Sequence, residues 1–111
     1  MTEAMEFFDH IANLLVLRPG VSQSKMFGMP SVKVNGKAFI GLSGNKMVFK
    51  LAEDKRLLAL KLAGARMFEP MPGRAMKEWV EVPLEQAPED TLQMLAEAAL
   101  DYVKTLVETA K

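Results

Sequence analysis

Two turn signals, Asn35-Gly36 and Ser43-Gly44-Asn45, cut residues 31–51 into three short extended segments. Asn and Gly both tolerate positive φ, which a two-residue hairpin turn requires of its central residues. The segments are Ser31–Val34, Lys37–Leu42 and Lys46–Leu51. The last alternates, with Met47, Phe49 and Leu51 on one face and Lys46, Val48 and Lys50 on the other. Pairing the second and third segments across Gly44-Asn45 sets Leu42 opposite Met47 and Ile40 opposite Phe49. Ala38, Ile40, Leu42, Met47, Phe49 and Leu51 then form the expected core face, and Lys37, Phe39, Gly41, Val48 and Lys50 the opposite one. The first segment is open. A two-residue Asn35-Gly36 turn points Val32 and Val34 away from the core face, and a three-residue loop with a bulge points them into it, because a one-residue slip exchanges the faces.

Helical periodicity brackets this meander. Met5, Phe8, Ala12 and Leu15 recur at helical spacing over residues 2–17, widened by Phe7, Ile11 and Leu14, with Thr2 as N-cap and Arg18-Pro19-Gly20 as the stop. Residues 21–30 read as a loop with a short strand. Residues 53–63 read as a short helix, with Glu53 and Asp54 in its first turn and Gly64 just past its end. Arg66–Gly73, with Pro70 and Pro72, reads as a loop or sheet edge. Lys77–Val82 alternates again, with Val80 and Val82 opposed to Lys77, Trp79 and Glu81. A long helix begins near Pro88, its buried stripe formed by Leu92, Leu95, Ala96, Ala99, Val103, Leu106 and Ala110. The order predicts one α+β domain over residues 1–111. It is a two-layer sandwich, with an antiparallel sheet packed on one face by the N-terminal, middle and long C-terminal helices.

Composition narrows the chemistry. The 111 residues include no cysteine, which excludes thiol catalysis, disulfides and thiolate metal sites. The acidic start, Met1 to Glu6, lacks the basic region of a secretory signal, and no apolar run approaches the ~20 residues of a membrane span. A cytoplasmic protein without membrane contact is expected. His10 is the single histidine, and Glu6 four residues before it is too little for a metal site. Ser22, Ser24, Ser31 and Ser43 lack a nucleophile motif, and Glu78 and Glu81 are expected on opposite faces of one strand. No catalytic set, cofactor or metal is expected.

The zero net charge is unevenly spread. Residues 24–61 carry eight bases and two acids, a local charge of +6, between acidic flanks of −2 and −4. The candidate binding surface is the sheet face away from the core, combining Lys37, Phe39, Val48, Lys50, Lys77 and Trp79. Arg74, in the Pro72-Gly73-Arg74 turn, adds a guanidinium suited to an anion. Three readings fit that face. The final helix covers it and makes Trp79 core; or it anchors a protein partner, a second copy included; or its lysines and aromatics take nucleic acid. Met26, Met29, Met67, Met71 and Met76 fall in segments flanking the sheet, as core filling or as an adaptable apolar surface.

Met26-Phe27-Gly28, Val34-Asn35-Gly36-Lys37-Ala38-Phe39 and Val48-Phe49-Lys50, followed by the block Met67–Pro83 with its Pro70-Met71-Pro72-Gly73-Arg74 and Glu78-Trp79-Val80-Glu81 runs, resemble the N-terminal domain of the TfoX/Sxy competence regulators. The resemblance covers most of the chain, and a related pattern occurs in the YjbR-like proteins. It implies an α+β sandwich of the kind also seen in secretion chaperones, a bacterial regulatory role and no catalytic residues. Full-length TfoX regulators carry a further C-terminal helical domain with no counterpart in these residues, so competence activation is not part of the expectation. The expected function is a non-catalytic regulatory or protein-binding module, with a homodimer or another protein as partner. A nucleic-acid-associated regulator using the basic sheet face is the alternative, and a small-molecule enzyme using Arg74 and a glutamate is the third.

Overall fold

The computed structural model describes residues 2–26, 28–69, 73 and 76–109. The chain runs α1 (Thr2–Leu15), β1 (Val21–Met26), β2 (Met29–Val34), β3 (Lys37–Ser43), β4 (Lys46–Lys50), α2 (Glu53–Leu60), β5 (Arg66–Met67), β6 (Trp79–Pro83), a 3₁₀ turn (Leu84–Gln86) and α3 (Glu89–Thr109). Every strand pairs antiparallel with its neighbours, in the order β1-β2-β3-β4-β6-β5. The helices pack on one face, giving the expected α+β sandwich. No helix among the described residues is long and apolar enough to cross a membrane.

The open question at the first hairpin is resolved by two devices acting together. Asn35 and Gly36 form a two-residue turn, both at positive φ (51° and 86°), between Val34 and Lys37, which pair directly. A β-bulge follows. Val32 pairs with Ile40 and Lys33 with Ala38, which leaves Phe39 as the extra residue on β3. The bulge sends Phe39 and Ile40 to the same side, and both are fully buried in the helix-side core. The tight turn alone would have set Val32 and Val34 against the face of Ile40 and Leu42. The bulge restores them to it, and both valines are fully buried in the same cluster.

Three expectations are corrected by that one extra residue: Lys37, expected on the face away from the core, pairs with buried Val34 and so lies on the helix side. Phe39, expected on the face away from the core, lies inside it. Ala38, expected in the core, is half-buried on the other face beside Val48 and Trp79.

The helix-side core joins Phe8, Ile11, Ala12 and Leu15 of α1 to Leu92, Leu95, Ala96, Ala99, Leu100 and Val103 of α3, over Val32, Val34, Phe39, Ile40, Leu42, Met47, Phe49, Val80 and Val82. From α2 only Ala59 is buried, which leaves Leu57 and Leu58 exposed. The α3 stripe fades past Val103, for Leu106 is 37% exposed; Ala110 lies outside the described residues. Glu89 and Asp90 open α3, where carboxylates suit the positive end of the helix dipole.

β6 starts later than its alternation suggests. Glu78 adopts φ 74°, left-handed for a residue with a side chain, so Lys77 and Glu78 form a turn and the strand begins at Trp79. At the other end of the sheet Gly20 (φ 78°) lies so close to the first hairpin that a Cβ there would stand 2.4 Å from Asn35 Oδ1. The Asn35 amide donates to the Gly20 carbonyl at 2.8 Å, tying the turn after α1 to the β2–β3 turn.

Candidate functional site

Directly paired residues share a sheet face. One row therefore crosses all six strands on the helix-free side: Ser24, Ser31, Gly41, Val48, Glu81 and Arg66. Towards β1 this face is small and polar. Towards β5 it carries a second apolar cluster of Val48, Phe68 and Trp79, with Met29, Ala38 and Met76 packed against it. Phe68 reaches the face because the chain after β5 keeps pairing: its amide donates to the Trp79 carbonyl at 3.0 Å, and its carbonyl accepts from the Met76 amide at 2.8 Å.

Trp79 is therefore covered, but not by the final helix. It is 4% exposed beneath the strand-like run around Phe68, and Val48 is fully buried. Of the residues expected to form one binding surface, the structure brings together Val48, Lys50 and Trp79, with Lys50 directly opposite Trp79. Lys37 pairs with buried Val34 and so belongs to the helix side, at the hairpin end. Phe39 is core, Lys77 is exposed in the turn before β6, and Arg74 lies outside the described residues. Among the methionines, Met29 and Met76 join the second cluster and Met67 packs against the helix-side core. Met71 and the Met26 side chain lie outside the described residues.

The charges on this face are organised by Glu81, which the sequence placed only as one of two acids expected on opposite faces of a strand. Its side chain is 6% exposed, and its Oε2 accepts from Lys46 Nζ at 3.1 Å and from Arg66 Nε at 2.8 Å. The hydrogen bond and charge of Glu81 raise the Arg66 guanidinium pKa above its already high ordinary value. Lys50 Nζ stands 3.9 Å from the Glu78 carboxylate. Sequence alternation had put Glu81 on the helix-free face, but nothing in it signalled that bases from β4 and β5 would converge on one oxygen. Ser31 is the opposite case: its Oγ is buried with no hydrogen-bond partner among the described residues.

The feature most available to another molecule is the edge of β1, where the sequence showed only a polar run, Ser22-Gln23-Ser24-Lys25. In an antiparallel pair, hydrogen-bonded and non-hydrogen-bonded partners alternate. The Asn35 amide bonds the Gly20 carbonyl, so Ser22 and Ser24 turn their backbone groups towards β2. Gln23 and Lys25 turn theirs outward, and among the described residues β1 has no neighbour on that side. The Gln23 side chain reaches back over the helix side, its Nε2 donating to Asn13 Oδ1 at 3.2 Å, and does not cover the edge. A strand presented in this way can accept another strand through main-chain hydrogen bonds.

Among the described residues no group of three or more histidine and acidic side chains could hold a metal ion. Comparison with protein-family models, with curated proteins and with solved structures returns no match.

Proposed function

We propose that this chain is a non-catalytic regulatory module that binds protein, of the kind its resemblance to the TfoX N-terminal domain implies, and that it does so by strand addition at β1. The observation that carries this reading is the pair of outward backbone groups at Gln23 and Lys25 on a six-residue strand whose outer edge has no partner among the described residues. The partner we favour is a second copy, in the bacterial cytoplasm. Two antiparallel β1 strands centred on Ser24 set Gln23 opposite the partner's Lys25, which joins the outward groups in hydrogen-bonded rings and keeps the lysines from facing each other. The nucleic-acid alternative is weakened by Lys46, Lys50 and Arg66, each of which stands beside a carboxylate.

The test uses the absence of native cysteine. Under the favoured register Ser24 meets its symmetry mate at a non-hydrogen-bonded position, where Cα atoms stand about 4.5 Å apart, close enough for a disulfide. Ser24→Cys should form a covalent dimer on mild oxidation, and Gln23→Pro, which removes an outward donor, should shift sedimentation of the otherwise native protein towards monomer. A wild-type chain that sediments as a monomer at every concentration, with no Ser24→Cys dimer, would rule out self-pairing and send the search to strands of other proteins.

A further inference from the structure

We infer that the helix side of the molecule carries a binding cleft for a small amphipathic organic cation, an amine or quaternary ammonium joined to an apolar body. The cleft is open to solvent and offers about 1040 Å³ between α1, the β3–β4 turn, the 3₁₀ turn and the start of α3. That volume suits a small organic ligand. Phe7, Leu84 and Leu92 give it an apolar lining, and Glu6, Glu85 and Glu89 line it from three different elements. No lysine or arginine is among its described lining residues, and His10 is its one basic group.

Charge complementarity selects the occupant. Glu6 and Glu89 have no ion-pair partner among the described residues, and Glu85 accepts only a long hydrogen bond from Asn45 Nδ2, at 3.4 Å. The nearby N-terminal ends of α1 and α3 each contribute roughly half a positive charge, about +1 together, which three carboxylates outweigh. An anion would meet net repulsion. A small, fully hydrated metal ion would make no use of the apolar lining. An ammonium group with a hydrocarbon body satisfies both parts at once: its charge meets the carboxylates and its body covers Phe7 and Leu84, which are only half-buried. The β3–β4 side of the cleft is held in place by the chain itself, since the Leu84 amide donates to the Asn45 carbonyl at 3.0 Å.

The cleft shares no residue with the β1 edge, so this inference stands or falls apart from the strand-addition reading. The experiment is an NMR titration of the full chain with three probes of one shape: 2-phenylethylamine, 2-phenylethanol and 3-phenylpropionate. The amine should bind, shifting the amide signals of Phe7, His10, Asn45 and Leu92; the alcohol should bind more weakly and the carboxylate weakest. Exposed charge pairs are worth up to about 1 kcal/mol, so Glu6→Gln and Glu89→Gln should each weaken the amine about two- to five-fold, and the double variant about ten-fold. Glu53→Gln, on α2, should change nothing, and circular dichroism checks that each variant keeps its fold. The inference is overturned if the amine fails to bind, if the three probes bind alike, if the shifted signals lie elsewhere, or if the folded double variant binds the amine as the wild type does.

Discussion

The Tyr102 hydroxyl donates to the Glu78 carboxylate at 2.5 Å, joining the middle of α3 to the left-handed turn that launches β6. The main chain of the same turn is held from the other side, where the Leu51 amide donates to the Glu78 carbonyl at 2.8 Å. A residue at positive φ without glycine's freedom is kept there by such surroundings.

This contact has a pH signature. The hydrogen bond to Glu78, then burial, then the charge of Glu78 raise the Tyr102 pKa above its ordinary 10.0, against a smaller opposing effect of Arg56. A phenol whose folded pKa is raised stabilises the fold fully below the unfolded pKa and loses that contribution as pH rises through the folded one. Tyr102 is the single tyrosine, so tyrosinate absorbance reports it alone. Its midpoint in the folded protein should lie above that in denaturant. Tyr102→Phe should cost about 1 kcal/mol at neutral pH, the usual worth of one hydrogen bond, and should flatten the alkaline fall in stability. Equal midpoints in the folded and denatured protein would contradict the contact.

Phe39 supplies a test of the bulge. Truncating a fully buried phenylalanine costs about 3–5 kcal/mol, so Phe39→Ala should lower the urea midpoint severely. Lys37→Ala, two residues away and exposed, should change stability by less than about 0.5 kcal/mol. Had Phe39 faced outward from the sheet, the two variants would behave alike.

Ser31→Ala should stabilise the protein, against the usual direction of core substitutions. The Ser31 hydroxyl is buried without a partner among the described residues, and an unsatisfied buried hydroxyl costs about 1–3 kcal/mol. Thermal unfolding should show a raised Tm. A lower Tm would mean that the hydroxyl has a partner in the folded chain.

The glycines at the two turns should respond unequally. Gly20→Ala meets both a φ of 78° and the Asn35 side chain, whereas Gly36→Ala meets only its φ of 86°, with open space around the new Cβ. A left-handed alanine alone costs roughly 1–2 kcal/mol, so Gly36→Ala should lose about that and Gly20→Ala more. Equal losses in urea denaturation would show that Asn35 moves aside freely.

The parts of this fold legible in the sequence were those written as local periodicity. The pairings of Leu42 with Met47 and Ile40 with Phe49 follow from a turn and an alternation, and the structure has both. The α3 stripe from Leu92 to Val103 follows in the same way. What periodicity could not carry was the bulge at Phe39. A single unpaired residue leaves the apolar count of β3 unchanged while moving Lys37, Ala38 and Phe39 to new faces. A buried Trp79 was one of the readings of that face, but its cover was hidden: it is Phe68, from a segment whose prolines left loop and sheet edge equally open, and not the final helix. Glu81 was legible as a position and not as an ion-pair centre, since its partners come from β4 and β5, far along the chain. The β1 edge was illegible for a different reason: being outermost is a property of strand order, which a polar run such as Ser22–Lys25 does not encode.

That strand order sets a valence. One border of the sheet is six residues long and the other, β5, only two. A chain with two good borders could add copies head to tail without limit, as fibres do. In the proposed dimer the long border is consumed when it meets its like, and the two residues of β5 offer a partner strand little backbone. Under the proposed pairing β1 would be self-terminating: a rise in concentration would fill a finite particle and would not lengthen a filament.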